Sequence, residues 1–479
     1  MVSALGLATA QGSAVELLAG AAPVPPQPLP WLADRWTTSG LCRPARGLDP
    51  GLAGAERWRA LARRALDECL AGSPPPPGTP LVVASCNGAA ESFEAEGWRR
   101  AFDTAGLLED VPWAGARLPV ASAACASGLQ GLFLARLLLE AGADEVVVLA
   151  VDVLSPAAHA NFEALRILSP ELQAPWQPGT EGFLCGEAAV ALRLRRGGPG
   201  PRLRGPMLSQ DLNGDDDEGG LGRALDSLEV LDGGPVSLIL GQGTGPPEVD
   251  RIELAAVRRV VPDLAVPLTT PLFHFGHTLG ASGLLGLALG TLQRCRALGA
   301  LALPASRAAD DRLLVDGLGA SRSDRQCLVV CRALGGACAA AALGEADGDI
   351  ATREPPAAPL GWAAPVPPGP IHHPLLRRLA EEGPRHRPPE PPDLLIVHLC
   401  EPLTPPRRAV VGGRLLPSAL LEITPGRAAL QVAQGWGYQG PTLCLVGASA
   451  GANFAALESS GRRAGVVYIH PGYENVEWS

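Results

Sequence analysis

The sequence predicts an α/β fold built on a mostly parallel sheet, and three observations predict it. Residues 1–343 alternate short apolar runs with longer helix-patterned stretches, the signature of βαβ units. Two distant segments share one strand, small-residue turn, helix, glycine and strand pattern. Between the apolar run Leu118–Val120 and the helix-like stretch Leu129–Leu139, "SAACASGLQGL" places Cys125 where a strand hands over to a helix.

Composition sets the bounds. The 479 residues suffice for two or three domains or one large duplicated fold, and 47% apolar content provides a sizeable core. A net charge of −10 argues against nucleic acid or an anionic membrane as the main partner, since both need a basic face. All 39 basic residues are arginine, a coding bias that weakens any inference from a missing lysine. The eleven cysteines are scattered, with no CxxC pair and no Cys/His cluster at zinc spacing. No metal or cofactor is expected, and a reducing cytoplasm fits. The N-terminus lacks the basic region of a signal peptide. No apolar run reaches the roughly 18–20 residues that span a bilayer.

Taken in order, "MVSALGLATAQG" reads as a first strand and turn, and residues 56–70 as a helix. Strands follow at "PLVVAS" (80–85) and, beyond a helix over 127–141, at "EVVVLAV" (145–151). "AAVALRL" (188–194), "VSLILG" (236–241) and "QCLVVCRA" (326–333) continue the series, with a helix over 280–295. The core divides into an N-half to about residue 200 and a C-half over 201–343. Residues 344–392 are proline-rich and read as a linker. Residues 393–479 resume strand-like runs in "DLLIVHL", "PTLCLVG" and "GVVYIHP".

The repeat joins the tail to the core. "RLPVASAACASGLQGLFLARLLLEAGADEVVVLAVDVLS" matches "GPTLCLVGASAGANFAALESSGRRAGVVYIHPGYEN", with Ala448 opposite Cys125 and the later copy shorter by about one helical turn.

Two readings of Cys125 stand side by side. A buried thiol can serve as a small hydrophobe. A thiol at a helix N-terminus faces unpaired N–H groups and the positive end of the dipole, which favours thiolate and lowers its pKa. The small residues Ala123, Ala124, Ala126, Ser127 and Gly128 leave room for an acyl group and a backbone donor.

Further segments follow in order: "NFEALRILSP" (161–170), "EGFLCGEAAVAL" (181–192), "GQGTGPPEVDRIELAAV" (241–257), "FGHTLGASGLLGLALG" (275–290) and "CRALGGACAAAALG" (331–344). With "SAACASGLQGL" they make residues 1–343 resemble the β-ketoacyl synthases of fatty-acid and polyketide assembly, members of the thiolase fold. The resemblance implies an αβαβα layered fold with two mixed sheets. It implies acyl transfer from an acyl carrier protein to Cys125, then decarboxylative Claisen condensation. His277 matches the family's second histidine. The first falls at Gln242, where the family has His-Gly-Thr-Gly, so Thr244 is retained. Asp250 and Glu187 match further family positions, and the second oxyanion donor falls on the Leu334 backbone N–H.

The family's lysine falls at Leu272 and its acidic partner at Gly286. Losing one alone strands a buried charge at about 3–5 kcal/mol, whereas losing both is close to neutral. Gln242 cannot become cationic, but its amide still donates. Losing such a donor outright costs roughly 3–4 kcal/mol; exchanging it costs less. Two readings of Gln242 stand: Cys125, His277 and Gln242 are similar to the Cys, His and Asn of initiating ketosynthases and chalcone synthase-like enzymes, or Gln242 marks a lapsed decarboxylation site.

Two alternatives remain at this point: a non-condensing partner resembling a chain-length factor, and an acyltransferase with His277 as base. The family's ketosynthases dimerise through strands beside the cysteine segment, which implies a homodimer or a heterodimer with another ketosynthase-like subunit. The tail "LLPSALLEITPGRAALQVAQGWGYQGPTLCLVGASAG" resembles the segment leading to the cysteine, so residues 393–479 are expected to form a partial, nucleophile-less ketosynthase-like unit. Ser449 has no evident base, His274 lacks companion ligands, and "NGDDDEGG" lacks calcium-loop spacing.

Overall fold

A computed structural model describes residues 1–29, 31–32, 41–71, 73–90, 98, 100–109, 111, 113, 118–169, 175–176, 182–198, 200–213, 219–230, 234–261, 266–295, 306–307, 314–315, 325–344, 371, 373–403, 410–411, 414–415, 423–447, 462–470 and 475–478. Ala448, Ser449, most of the acidic loop and residues 345–370 of the predicted linker lie outside them.

The apolar runs become strands of two sheets. In chain order they are β1 (Val2–Thr9), β2 (Leu81–Ala84), β3 (Val120–Ala121), β4 (Glu145–Asp152), β5 (Ala188–Arg195), β6 (Arg202–Gln210), β7 (Val236–Leu240) and β8 (Leu268–Thr269). Then come β9 (Ser306–Arg307), β10 (Leu314–Val315), β11 (Gln326–Arg332), β12 (Ala337–Gly344), β13 (Leu394–Leu399), β14 (Thr442–Val446), β15 (Ala464–His470) and β16 (Asn475–Trp478). The nine-stranded sheet runs β1-β5-β4-β2-β3-β14-β13-β15-β16, and the seven-stranded sheet β9-β10-β8-β7-β11-β12-β6.

The longer helices are α1 (Gly54–Leu70), α2 (Ser127–Glu140), α3 (Pro156–Ala164), α4 (Gly220–Ser227), α5 (Pro247–Val260), α6 (Ser282–Cys295), α7 (Pro374–Glu382) and α8 (Pro425–Trp436). Side-chain alternation shows why the strands read as unbroken apolar runs. In β4, Val146, Val148 and Ala150 join the core containing α2 and α6, while Val147, Leu149 and Val151 join the core containing α1 and α8. Both faces are covered, so both must be apolar. Likewise Leu240, Cys327 and Val329 face α2 and α6, whereas Ile239, Leu328 and Val330 pack with α4 and α5. The result is five layers, helix–sheet–helix–sheet–helix, as the thiolase-like expectation required. Among the described residues no helix is long and apolar enough to cross a membrane.

Two features differ from the sequence reading. Residues 374–382, inside the stretch predicted as linker, form α7 with Pro374 in its first turn, where a missing N–H costs nothing. Leu375, Leu376 and Leu379 of that helix are buried. The strands β6 and β12, unassigned from sequence, pair with each other antiparallel. In the tail, β14 pairs antiparallel with β3, with Leu445 opposite Ala121 and Val446 opposite Val120.

Candidate active site

The turn between β3 and α2 is built by its small residues. Ala124 has a left-handed φ of 49°, a strained conformation of the kind concentrated at functional turns. Ser127 holds it: its hydroxyl donates to the Ala124 carbonyl at 2.5 Å and accepts the Ala123 N–H at 2.9 Å. The glycines serve packing rather than acyl space. A Cβ on Gly128 would lie 2.8 Å from the Gly280 carbonyl oxygen, and one on Gly131 would lie 3.0 Å from Ala84 Cβ. Smallness here lets α2 approach β2 and the turn before α6.

Cys125 follows, 6% exposed. Its own amide and that of Leu334 lie near enough to the sulfur to favour its anion. Burial nevertheless pushes the thiol up to about 12, against the expectation of a thiolate. Two amide donors and a helix end do not replace the water that a sulfur anion loses on burial. The Cys331 thiol donates to the Cys125 carbonyl at 3.1 Å. The Leu334 side chain is 38% exposed, at the mouth of the turn Leu334–Gly336.

His277 reaches the same sulfur, with Nε2 3.4 Å from Cys125 Sγ. Its Nδ1 accepts the Leu279 N–H at 3.0 Å, so the ring proton sits on Nε2. Burial holds the imidazole down to about 4, neutral at physiological pH. The backbone of "FLCG" clamps the residue: His277 N–H donates to the Leu184 carbonyl, and Gly186 N–H donates to the His277 carbonyl. Phe183 covers the ring at a centroid distance of 4.6 Å.

Gln242 lies just past the end of β7, 8% exposed. Its backbone N–H donates to Glu253 Oε1 at 2.7 Å, and its Oε1 accepts the Arg332 N–H at 2.8 Å. Those bonds fix the amide's orientation and leave Nε2 without a hydrogen-bond partner among the described residues. Gln242 and His277 both line a cavity of about 20 Å³, whose walls include Leu272 and Gly286. The two positions where the resemblance places a lysine and an acid therefore border one shared space, now roughly the size of a water molecule.

The supporting residues divide. Asp250 accepts the Gly245 and Trp176 N–H groups, each at 3.1 Å, and burial beside Glu253 pushes its carboxyl up to about 7. The nearby Thr244 amide acts against that rise. Glu187 lies apart from these contacts. Its carboxylate pairs with Arg57 at 2.5 Å and accepts the Ala45 and Leu154 N–H groups, anchoring structure.

Sequence reasoning missed three positioning residues. Asp152 is fully buried and accepts from Ser85, Cys86, Asn87 and Gly280, tying the ends of β2 and β4 to the turn that orients His277. Glu253 holds the glycine turn through the Gln242 and Gly243 amides and the Trp176 indole. Phe183 packs the imidazole. The one available signal was an aspartate closing the otherwise apolar "EVVVLAVD".

Residues 114–198 match the family "Beta-ketoacyl synthase, N-terminal domain", and residues 207–294 match "Beta-ketoacyl synthase, C-terminal domain". No curated protein matches the sequence. The fold is similar to that of a ketosynthase (ApeO) in complex with its chain length factor (ApeC) from Xenorhabdus doucetiae, at 21% identity and TM-score 0.57, over 72% of this chain and 97% of that one. It is also similar to AntDE:AntF, a type II acyl-carrier protein in complex with its ketosynthase bound to the hexaketide, at 19% identity and TM-score 0.57, over 72% and 98%. A PfaC keto synthase–chain length factor is matched at 12% identity and TM-score 0.70, over 98% of this chain and 73% of that chain.

Proposed function

Because this chain is a divergent member of the β-ketoacyl synthase family, we propose that it accepts an acyl group on Cys125 and condenses it with a malonyl unit. The observation that carries the reading is the Cys125–His277 pair, 3.4 Å apart, with the imidazole proton held on Nε2. An imidazole in that tautomer donates from Nε2, and its Nδ1 is taken by the Leu279 N–H, so it has no ring nitrogen to take a proton from an acceptor alcohol or amine. The acyltransferase alternative, with His277 as base, is disfavoured for that reason.

The steps follow from donor positions. Cys125 Sγ attacks the thioester carbonyl of an acylated carrier protein, and the oxyanion forms against the amides of Cys125 and Leu334. The carrier's thiol leaves, taking the proton that the cysteine lost. A malonyl thioester then places its carbonyl oxygen against His277 Nε2–H and Gln242 Nε2–H. Carbon dioxide departs, the C–C bonding pair it leaves behind becomes the enolate, and the enolate carbon attacks the acyl-cysteine. The C–S bond breaks, its pair leaves on sulfur, and the thiolate takes a proton from solvent. An acyl carrier protein and a second ketosynthase-like half are the partners this reading calls for. A cytoplasmic setting is part of it, supported by the described cysteines being free thiols.

A second reading, a non-condensing partner resembling a chain-length factor, is favoured by one observation: the sulfur is buried, and the cavity of about 20 Å³ lined by Gln242 and His277 does not have Cys125 in its walls. Intact-protein mass spectrometry with an acylated carrier protein separates the two. The condensing reading expects an acyl adduct on the unmodified chain and none on Cys125→Ala; no adduct on either leaves the non-condensing reading. Carbon dioxide release from malonyl carrier protein should then fall about 100-fold in Gln242→Ala, the loss typical of one oxyanion donor.

A further inference from the structure

The nine-stranded sheet repeats itself about its middle. On one side of the β3–β14 contact the order is β5-β4-β2-β3; on the other it is β14-β13-β15-β16. Orientation repeats as well as order. The strand β2 is parallel to β3 and β4, as β13 is to β14 and β15. Each run ends in an antiparallel strand, β5 beside β4 and β16 beside β15.

Register makes the symmetry local and specific. The alignment of Cys125 with Ala448 sets Ala121 equivalent to Cys444 and Ser122 equivalent to Leu445. In the structure Ala121 faces Leu445, and the Ser122 N–H donates to the Cys444 carbonyl at 3.0 Å. Each residue of the pair thus meets the counterpart of its neighbour. That is the self-complementary contact of a two-fold dimer, made here within one chain.

The contact is buried and bonded throughout. Gln130, 2% exposed, donates from Nε2 to the Thr442 carbonyl at 2.9 Å and accepts the Cys444 N–H on Oε1 at 3.0 Å. Gln434 donates to the Leu212 carbonyl, and Ser209 donates to the Gln439 carbonyl. At the start of α8, Gly426 lies so close that an added Cβ would stand 3.2 Å from Ala123 Cα, two residues before the nucleophile. The solved ketosynthase–chain length factor covering 98% of this chain, against 72% for the two other structures compared, extends the likeness across this same junction.

We propose that residues 374–479 are a reduced second copy of the half that carries Cys125, and that they occupy in cis the β3 edge where a partner subunit would pair. The ketosynthase-like partner is part of the chain. The nucleophile turn is buttressed by the chain's own α8, and no second molecule pairs at β3. The inference rests on strand order, register and packing, and stands whether or not Cys125 becomes acylated.

Ala121 and Leu445 form a non-hydrogen-bonded pair, since the flanking pair carries the Ser122–Cys444 bond. Their Cα atoms are therefore about 4.5 Å apart, within disulfide reach. The double variant Ala121→Cys/Leu445→Cys, with both single variants as controls, is oxidised and run on a non-reducing gel. A cross-link within one chain is expected, giving a faster band at single-chain mass. A disulfide-linked dimer, or no cross-link in folded protein, overturns the proposal. If circular dichroism shows the double variant unfolded, hydrogen exchange on the unmodified chain decides. Protection of the Ser122 and Cys444 amides should be unchanged across a 100-fold range of protein concentration. Loss of that protection on dilution, or its absence, overturns the proposal.

Discussion

At the residue scale, His277 shows how burial decides protonation. Its pKa lies at about 4, below the ordinary 6.5, because the buried ring cannot be hydrated as a cation. A depressed pKa contributes stability that is fully present above pH 6.5 and is lost as pH falls toward 4. The loss approaches about 3 kcal/mol at the low end. His277→Asn cannot titrate, so the stability of the unmodified chain relative to this variant should shrink by that order between pH 7 and pH 4. Urea unfolding at both pH values measures it, and an unchanged difference would contradict the assignment. Asp152 and Asp250 titrate in the same range, but they do so in both proteins and cancel.

Much of this residue set was legible in the sequence. Cys125 and His277 stand in distinctive small-residue runs, and Leu334 stands beside a glycine pair. Asp152, Phe183 and Glu253 were not legible, because their roles depend on amides and rings that only folding brings near. The Cys125 thiol is the clearest reversal. Its place at a helix start was readable, but the loss of water around it was not.

At the element scale, a residue's neighbours override its intrinsic preference. The stretch "ACAAAALG" is rich in the best helix former, yet it is β12. Between β11 and β6, with Ala339 and Ala341 turned toward α2 and α6 and Ala340 and Ala342 toward α4 and α5, a small side chain is what the spacing admits. The proline-rich 344–392 stretch misled in the opposite sense, because Pro374 opens a helix instead of breaking one. The junction of α2 with β14 offers a direct test. Gln130→Ala leaves the Thr442 carbonyl and the Cys444 N–H buried without their partner. At about 1–3 kcal/mol for each unsatisfied group, the variant should lose roughly 2–5 kcal/mol. Chemical denaturation reads that loss, and a change below about 1 kcal/mol would show the clamp to be dispensable.

At the scale of the whole molecule, one sheet runs through both the first region and the tail. The core on the outer face of that sheet mixes Leu81, Val83 and Leu149 with the tail residues Leu395, Val397 and Trp436. Unfolding the tail alone would expose that core and the β3 edge together. A single cooperative transition is therefore expected, with far-UV circular dichroism and tryptophan fluorescence coinciding. Trp58 and Trp98 report on the first half, and Trp436 on the tail. A separate early loss of fluorescence would mean that the tail is an independent unit.

The sequence by itself determined the layered α/β fold, the strand-to-helix turn around Cys125, and the pairing of that segment with His277 through a family resemblance. Each of these is written in local periodicity or in motif order. Tertiary structure alone decided that burial raises the thiol's pKa, that Gln242, whose Nε2 has no hydrogen-bond partner among the described residues, shares a cavity with His277, and that β14 lies against β3 of the same chain. Those outcomes depend on desolvation and on contacts between residues hundreds of positions apart, and neither leaves a mark on any short stretch of sequence.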